Sequence, residues 1–159
     1  MFRARPFTFV LALFTILFLF SAGAALARTT WGLHGGFSSG PDQFIVGPHM
    51  NLNAVGEHLY VVPSAEVGFG DHLTSVAFNG DLQYRFVVHD SKVHPYAGGG
   101  ASLYYVSLNG GGGSDTNLGI DILGGIFFGE MNGRPMFVDV KAGLTDRVPD
   151  WKFQFGFNF

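Results

Sequence analysis

The strongest constraint on the fold is the strict alternation of aromatic residues in the last ten positions of the chain, 150–159. This segment reads DWKFQFGFNF, and an aromatic side chain occupies every second position from Trp151 to Phe159. Successive side chains of a β-strand point to opposite faces. The segment is therefore predicted to form a strand with one aromatic face and one polar or small face. Such a strand can lie at the edge of a soluble sandwich or can close a membrane barrel.

The first 27 residues are predicted to be a cleaved secretory signal peptide and are excluded from the fold. Arg3 and Arg5 precede an apolar run, Phe7 to Phe20, and the small-x-small triplet Ala25-Leu26-Ala27 stands just before Arg28. An uncleaved membrane anchor is the alternative, but the apolar run is shorter than a full helical span. Residues 28–159 are then expected to form a single domain.

Composition narrows the class of protein. The chain has 9 Lys and Arg against 12 Asp and Glu, which argues against nucleic acid as a partner. It contains no cysteine, so it has neither a disulfide framework nor the lipid-carrying cysteine of a lipoprotein. Charged residues make up 13% of the chain, about half the usual fraction. This composition is typical of a barrel with lipid outside and a narrow lumen inside.

Beyond residue 28, no capped apolar pattern of helical period is present, and alternating runs are separated by turn residues instead. The predicted strands are approximately Thr30–Ser38, Gln43–Leu52, His58–Phe69, His72–Val88, His94–Leu108, Thr116–Gly129, Pro135–Thr145 and Asp150–Phe159. Eight is the smallest even number of strands used by single-chain outer-membrane barrels. The predicted fold is all-β, an eight-stranded antiparallel up-and-down transmembrane β-barrel.

Residues that face each other in an antiparallel pair must point to the same side, which constrains the turns. Val55-Gly56 is predicted to be a two-residue turn, and this register places Pro48 opposite Pro63. The following turn is predicted at Gly70-Asp71. Met131-Asn132-Gly133 is predicted to be a bulged three-residue loop whose last glycine is left-handed.

The apolar faces, with Leu52 among their members, are predicted to point outward to lipid. Outward aromatics then form two girdles: Trp31, Phe86, Phe128, Phe157 and Phe159 near one rim, and Phe37, Phe44, Phe69, Tyr105 and Trp151 near the other. A lipocalin-like barrel would instead have apolar residues inside and a water-facing exterior. The opposite faces of the strands contain too few Lys and Glu residues to form such a water-facing exterior.

Small residues and a few charges make up the face that is predicted to point inward. Its polar members are His34, His49, Asn51, Glu66, Asn79, Asp81, Gln83, Arg85, Asp121, Asp139, Lys141, Lys152, Gln154 and Asn158. A near-neutral, hydrogen-bonded plug is expected of such a set in a narrow lumen. The predicted pairs are Arg85 with Asp81 or Glu66, and Lys141 with Asp139.

Two features allow a functional alternative. The inward residues His34, His49, Glu66, Asp81, Ser64 and Ser102 could supply a Ser-His-acid constellation, although the sequence does not show that they converge. Pro48 and Pro63 each remove a ladder donor, which predicts a local bulge or, alternatively, a lateral gap that admits lipid. The glycine runs lack the strand–loop–helix context of a phosphate loop. No catalytic, cofactor-binding or metal-binding residue is predicted.

Three segments carry a resemblance to a known family. HPYAGGGASLYYV, SDTNLGIDILGGIFFG and RPMFVDVKAGL, followed by the aromatic-ended last strand, resemble the small outer-membrane β-barrel family, which includes the OmpA transmembrane domain, OmpX and the opacity-type proteins. The resemblance implies location in a bacterial outer membrane, among lipid and lipopolysaccharide. It also implies insertion by the barrel-assembly machinery, which reads Phe157 and Phe159, although Gln154 replaces the usual glycine of that signal.

Family membership does not name a function, because members of this fold differ in role. The first hypothesis is a monomeric, non-enzymatic barrel with a structural or surface-interaction role and a lumen packed with polar side chains. The alternatives are a lipid A-modifying outer-membrane enzyme and a narrow pore for small solutes.

Overall fold

A computed structural model describes residues 29–53, 57–71, 73–108, 113–131, 133–146 and 148–159. The predicted signal peptide and the predicted turn at Val55-Gly56 lie outside these ranges. Across the described residues, no helix has the length and hydropathy to cross a bilayer.

Eight antiparallel strands form a closed barrel in which each strand pairs with the next and the last pairs with the first. The strands are β1 Thr30–Ser39, β2 Gln43–Asn53, β3 Leu59–Gly70, β4 Leu73–Arg85, β5 Val93–Leu108, β6 Ser114–Met131, β7 Arg134–Gly143 and β8 Trp151–Asn158. The predicted fold class is confirmed, because alternation of apolar and polar residues selects strands and closure removes their unpaired edges.

Alternation along β8 separates the two surfaces of the barrel. Phe153 and Phe155 are 44% and 46% exposed, whereas Lys152 and Gln154 are 6% and 3% exposed. The same separation holds around the barrel, so the prediction of an apolar exterior and a polar lumen is confirmed. Leu52 is an exception, since it was predicted to face lipid and is only 8% exposed.

The two ends of the barrel differ. The terminal end carries the start of β1 and the end of β8, together with the β2–β3, β4–β5 and β6–β7 connections. The loop end carries the other four connections. At the loop end β6 extends beyond β7, since its first β7 partner in register is Gly143, opposite Asp121.

The register between β2 and β3 differs from the prediction by two residues. Val46 pairs with Val67 and His49 with Ser64, so Pro48 does not lie opposite Pro63. The predicted register is therefore wrong: the last described pair of the ladder joins Asn53 to Tyr60. The prolines still interrupt the ladder: neither Pro48 nor Pro63, both described, is among the β2–β3 pairs in register.

Two other turns also differ from the prediction. Gly70 is still in the ladder, opposite Leu73, so the β3–β4 turn lies one residue later than predicted. Met131 pairs with Arg134, which leaves a two-residue connection instead of a three-residue loop, while Gly133 has the predicted left-handed φ, +76°. The additional residue is instead accommodated at Gly129, whose φ is +54° at a register shift within β6.

Candidate functional site in the barrel lumen

Two buried ion pairs occupy the middle of the lumen. Lys152 Nζ lies 2.7 Å from Glu66 Oε2, and Gln154 Nε2 donates to Glu66 Oε1 at 2.9 Å. Lys141 Nζ donates to Asp81. The predicted pairing of Lys141 with Asp139 is therefore wrong, because barrel closure brings β7 and β4 together across the lumen, which strand order along the sheet does not show.

Two further buried carboxyl groups have hydroxyl partners instead of cations. Asp121 accepts a hydrogen bond from Ser102 Oγ at 3.0 Å, and Asp139 accepts one from Tyr96 Oη at 2.7 Å. The second oxygen of each carboxyl group has no hydrogen-bond partner among the described residues. Among the described residues, the lumen thus contains more buried carboxyl groups than Lys side chains that contact them.

Arg85 lies at the terminal end of the lumen and pairs with no carboxylate among the described residues. Its guanidinium carbon is 3.7 Å from the centre of the Tyr60 ring and 4.5 Å from that of Phe127, and its Nη2 donates to Asn51. The predicted pairing of Arg85 with Asp81 or Glu66 is wrong. Its aromatic partners were missed because Phe127 was not assigned to the lumen, although strand alternation places it there.

We expect that Arg85→Ala lowers the free energy of unfolding in detergent by about 2 kcal/mol, through loss of two desolvated cation–π contacts and a charged hydrogen bond. Thermal unfolding followed by heat-dependent gel mobility measures this. Lys92→Ala, in the exposed β4–β5 connection, is the matched control. An unchanged melting temperature for Arg85→Ala would reject the contribution of this residue to the packed lumen.

An aromatic cluster fills the lumen beneath Arg85. Tyr96, Leu123, Phe127 and Phe137 are buried together, and the rings of Tyr96 and Phe127 are 4.9 Å apart. These rings pack beside the polar groups of this end, since the hydroxyl of Tyr96 donates to Asp139 and the ring of Phe137 lies against that of His49. Sequence reasoning did not name these residues as lumen residues, although they alternate with outward residues of the same strands.

The loop end of the lumen is closed by the connection that follows β7. Val148 is 6% exposed and packs with Ala77 and Tyr104. A Cβ on Gly119 would overlap the side chain of Val148, so the absence of a side chain there makes room for it. Backbone hydrogen bonds from Gly143 N to Asp150 O and from Asp150 N to Ser39 O hold the connection in place.

A chain of polar contacts joins four strands on one wall of the lumen. His34 Nε2 is 3.4 Å from Glu66 Oε1, and His34 Nδ1 is 3.3 Å from His49 Nδ1. His49 Nε2 is 2.9 Å from Asn158 Oδ1, which also accepts from Asn51 Nδ2 at 2.7 Å. The chain therefore connects β3, β1, β2 and β8.

The residues of the possible Ser-His-acid constellation do not form a nucleophile–base pair. The hydroxyl of Ser64 accepts from Asn79 Nδ2 at 3.0 Å, and the hydroxyl of Ser102 donates to Asp121. Neither serine has a hydrogen bond to a histidine among the described residues. The same part of the chain holds no group of three or more His, Cys, Asp or Glu arranged to bind a metal ion.

A small cavity of about 20 Å³ remains in the lumen, bordered by His34, His49, Ser64, Asp81 and Asp139 among others. A buried water needs about 10–15 Å³ of such volume, so the cavity has room for one water and not for a solute. In the described residues, the lumen is therefore a packed interior with a polar pocket.

No protein-family model and no curated protein matches the sequence. Solved structures do match it. The N-terminal β-barrel domain of Pseudomonas aeruginosa OprF has a TM-score of 0.67 at 14% identity, over 82% of this chain and 96% of that chain. Neisserial surface protein A has a TM-score of 0.62 at 14% identity, over 82% of this chain and 94% of that chain. Structural similarity at this level of sequence identity shows a shared fold.

The chain thus has the fold of the small eight-stranded outer-membrane β-barrels, as its sequence resemblance implied. Its exterior is apolar, its backbone is closed on itself and its polar groups lie in the lumen, as a bilayer requires. This fold and this exterior place the protein in the bacterial outer membrane.

Proposed function

We propose that this protein is a structural or surface-interaction barrel of the outer membrane, which neither conducts solutes nor catalyses a reaction. One observation carries the proposal: the described side chains pack the lumen at both ends and in the middle. Val148 and Tyr104 close the loop end, two ion pairs occupy the middle, and the cluster around Phe127 closes the terminal end. A pore needs a continuous water-filled path, and the Ser-His-acid alternative needs an accessible nucleophile beside its base.

The loop end supports a role in surface interaction. The segment of β6 from Ser114 to Gly119 has no β7 residue in register within the described ranges, and Leu118 is 72% exposed. A strand edge of this kind offers backbone donors and acceptors to an extended partner. The predicted partners also include lipopolysaccharide around the barrel and the barrel-assembly machinery during insertion, to which the exposed Phe159 is accessible. We propose that the protein acts as a monomer.

Planar-bilayer recording of the purified barrel, combined with mass spectrometry of lipid A from expressing cells, tests the proposal. We expect no single-channel steps and no change in lipid A mass, because the lumen has no open path and neither serine contacts a histidine. A general porin in the same bilayer is the positive control. Discrete conductance steps would favour the narrow pore, and a new lipid A species would favour the enzyme.

A further inference from the structure

The His34–His49 contact has a direction that follows from hydrogen-bond chemistry. Asn158 Oδ1 accepts a hydrogen bond from Asn51 Nδ2, and a carbonyl oxygen can only accept. In the contact between His49 Nε2 and Asn158 Oδ1, the hydrogen is therefore on Nε2 of His49. A neutral His49 then has a bare Nδ1, which can only accept. The 3.3 Å contact is then a hydrogen bond only if the Nδ1 of His34 donates.

This assignment leaves the other ring nitrogen of His34 in conflict with its surroundings. A neutral imidazole that donates from Nδ1 has a lone pair on Nε2. That lone pair lies 3.4 Å from the carboxylate oxygen Oε1 of Glu66, and Nε2 has no hydrogen-bond partner among the described residues. Two acceptors face each other within a region that is nine-tenths or more buried, which is unfavourable unless a proton lies between them.

We propose that His34 and Glu66 form a buried proton-binding site in the lumen, and that the bound proton completes the chain from Glu66 through His34 and His49 to Asn158. With the proton on Nε2, His34 is an imidazolium that donates to both neighbours, and its contact with Glu66 is an ion pair. Without the proton, this contact becomes repulsive and the chain is interrupted between β1 and β3.

The charged groups around the site allow it to hold one proton. Glu66 is shared with Lys152 of β8, and Lys141 and Asp139 of β7 act on the site electrostatically. Arg85 of β4, Lys141 of β7 and the imidazole of His34 are the charged or titratable groups that act on the neighbouring His49 of β2. Since buried acids outnumber the Lys and Arg side chains, one proton at His34 balances the described lumen charges.

The proton has a structural consequence at the seam between β2 and β3. Their ladder is interrupted around Pro48 and Pro63, so side-chain contacts across the lumen wall contribute more to holding these strands than in a fully paired seam. The chain through His34 connects β3 to β1, β2 and β8 at this level. The barrel is therefore expected to loosen at β2 and β3 when the proton is lost.

Two measurements on the full barrel in detergent micelles test this site. The ¹⁵N shifts of the histidine rings, followed as the pH is raised through the range in which imidazoles titrate, are expected to show His34 protonated at both nitrogens on the acidic side and losing the Nε2 proton on the alkaline side. Over the same range the melting temperature is expected to fall by about 4 °C, because loss of the proton removes the ion pair between His34 and Glu66 and interrupts the chain between β1 and β3.

Two variants distinguish the proton site from a purely packing role. Glu66→Gln removes the carboxylate charge that faces His34, so His34 is expected to lose its double protonation and the barrel to lose this pH dependence. Because Lys152 also loses its counter-charge, the comparison uses the pH dependence of melting and not the absolute stability. His94→Gln, at an exposed histidine of β5, is the control and is expected to retain both.

Hydrogen exchange supplies a local readout. Amides of β2 and β3 are expected to exchange faster, relative to those of the fully paired β5 and β6, as His34 loses its proton. An unprotonated Nε2 of His34 at every pH at which the barrel is folded would overturn the proposal. So would an identical pH dependence of melting in Glu66→Gln and in the parent protein.

Discussion

Lys141→Ala is expected to reduce the free energy of unfolding by about 3–5 kcal/mol, the cost of leaving one partner of a buried ion pair without its counter-charge. The ammonium group of Lys141 is the close cationic partner of Asp81 within the described residues. Asp121 lies nearby, since a Cβ placed on Gly100 would meet oxygens of both aspartates. Removal of the cation therefore leaves two neighbouring carboxyl groups without compensation in the lumen.

The measurement is the temperature at which the barrel loses its fast gel mobility, together with urea-induced unfolding in lipid vesicles. Lys92→Ala removes an exposed cation and is expected to have little effect, because exposed charges contribute about 0–1 kcal/mol. The double variant Lys141→Met/Asp81→Leu is expected to recover part of the loss, because the carboxylate of Asp81 is removed together with its counter-charge and only Asp121 remains without a nearby cation. Equal stability of Lys141→Ala and Lys92→Ala would contradict the ion-pair assignment.

Gly36→Ala is expected to destabilise the barrel at its closing seam by about 3 kcal/mol, the upper part of the range for overpacking. Gly36 of β1 lies opposite Gln154 of β8 in the register that closes the barrel. A Cβ at this position would overlap the carbonyl oxygen of Phe153 and would come within 2.9 Å of the Cα of Gln154. Backbone atoms cannot move aside as a flexible side chain can, so the two strands must separate.

Gly80→Ala is the matched control, because a Cβ at Gly80 meets no atom within 4 Å. It is expected to be neutral or slightly stabilising, since alanine has less backbone freedom than glycine in the unfolded chain. The folded fraction after refolding into vesicles and the melting temperature compare the two variants directly. Similar losses in both would show that glycine at Gly36 serves backbone flexibility and not close approach of the strands.

The alternation of apolar and polar residues was sufficient to predict the fold, because it is present within each strand separately. The alternation in Trp151–Phe159 determines which side chains of β8 face lipid, and the structure confirms this through the buried Lys152 and Gln154. Turn positions were less accurate. Registers that differ by two residues give the same facing, so alternation could not exclude the wrong pairing of Pro48 with Pro63.

The partners of the lumen charges could not be predicted in the same way. Alternation correctly assigned Lys141, Asp81 and Glu66 to the lumen, but it contains no information about which side chains meet across it. Their contacts depend on the stagger of strands and on the length of each side chain. The same alternation places Phe127 in the lumen, where an aromatic residue was not expected among polar and small side chains.

The sequence by itself determined that this chain forms a closed antiparallel barrel with lipid outside, because a period of two and a shortage of charged residues leave few other ways to satisfy the backbone. Only the tertiary structure decided how the lumen is filled. Lys152 meets Glu66, Val148 folds back over Gly119, and His34 faces a carboxylate. These contacts join residues far apart in the chain, and their geometry exists only once β8 has closed against β1.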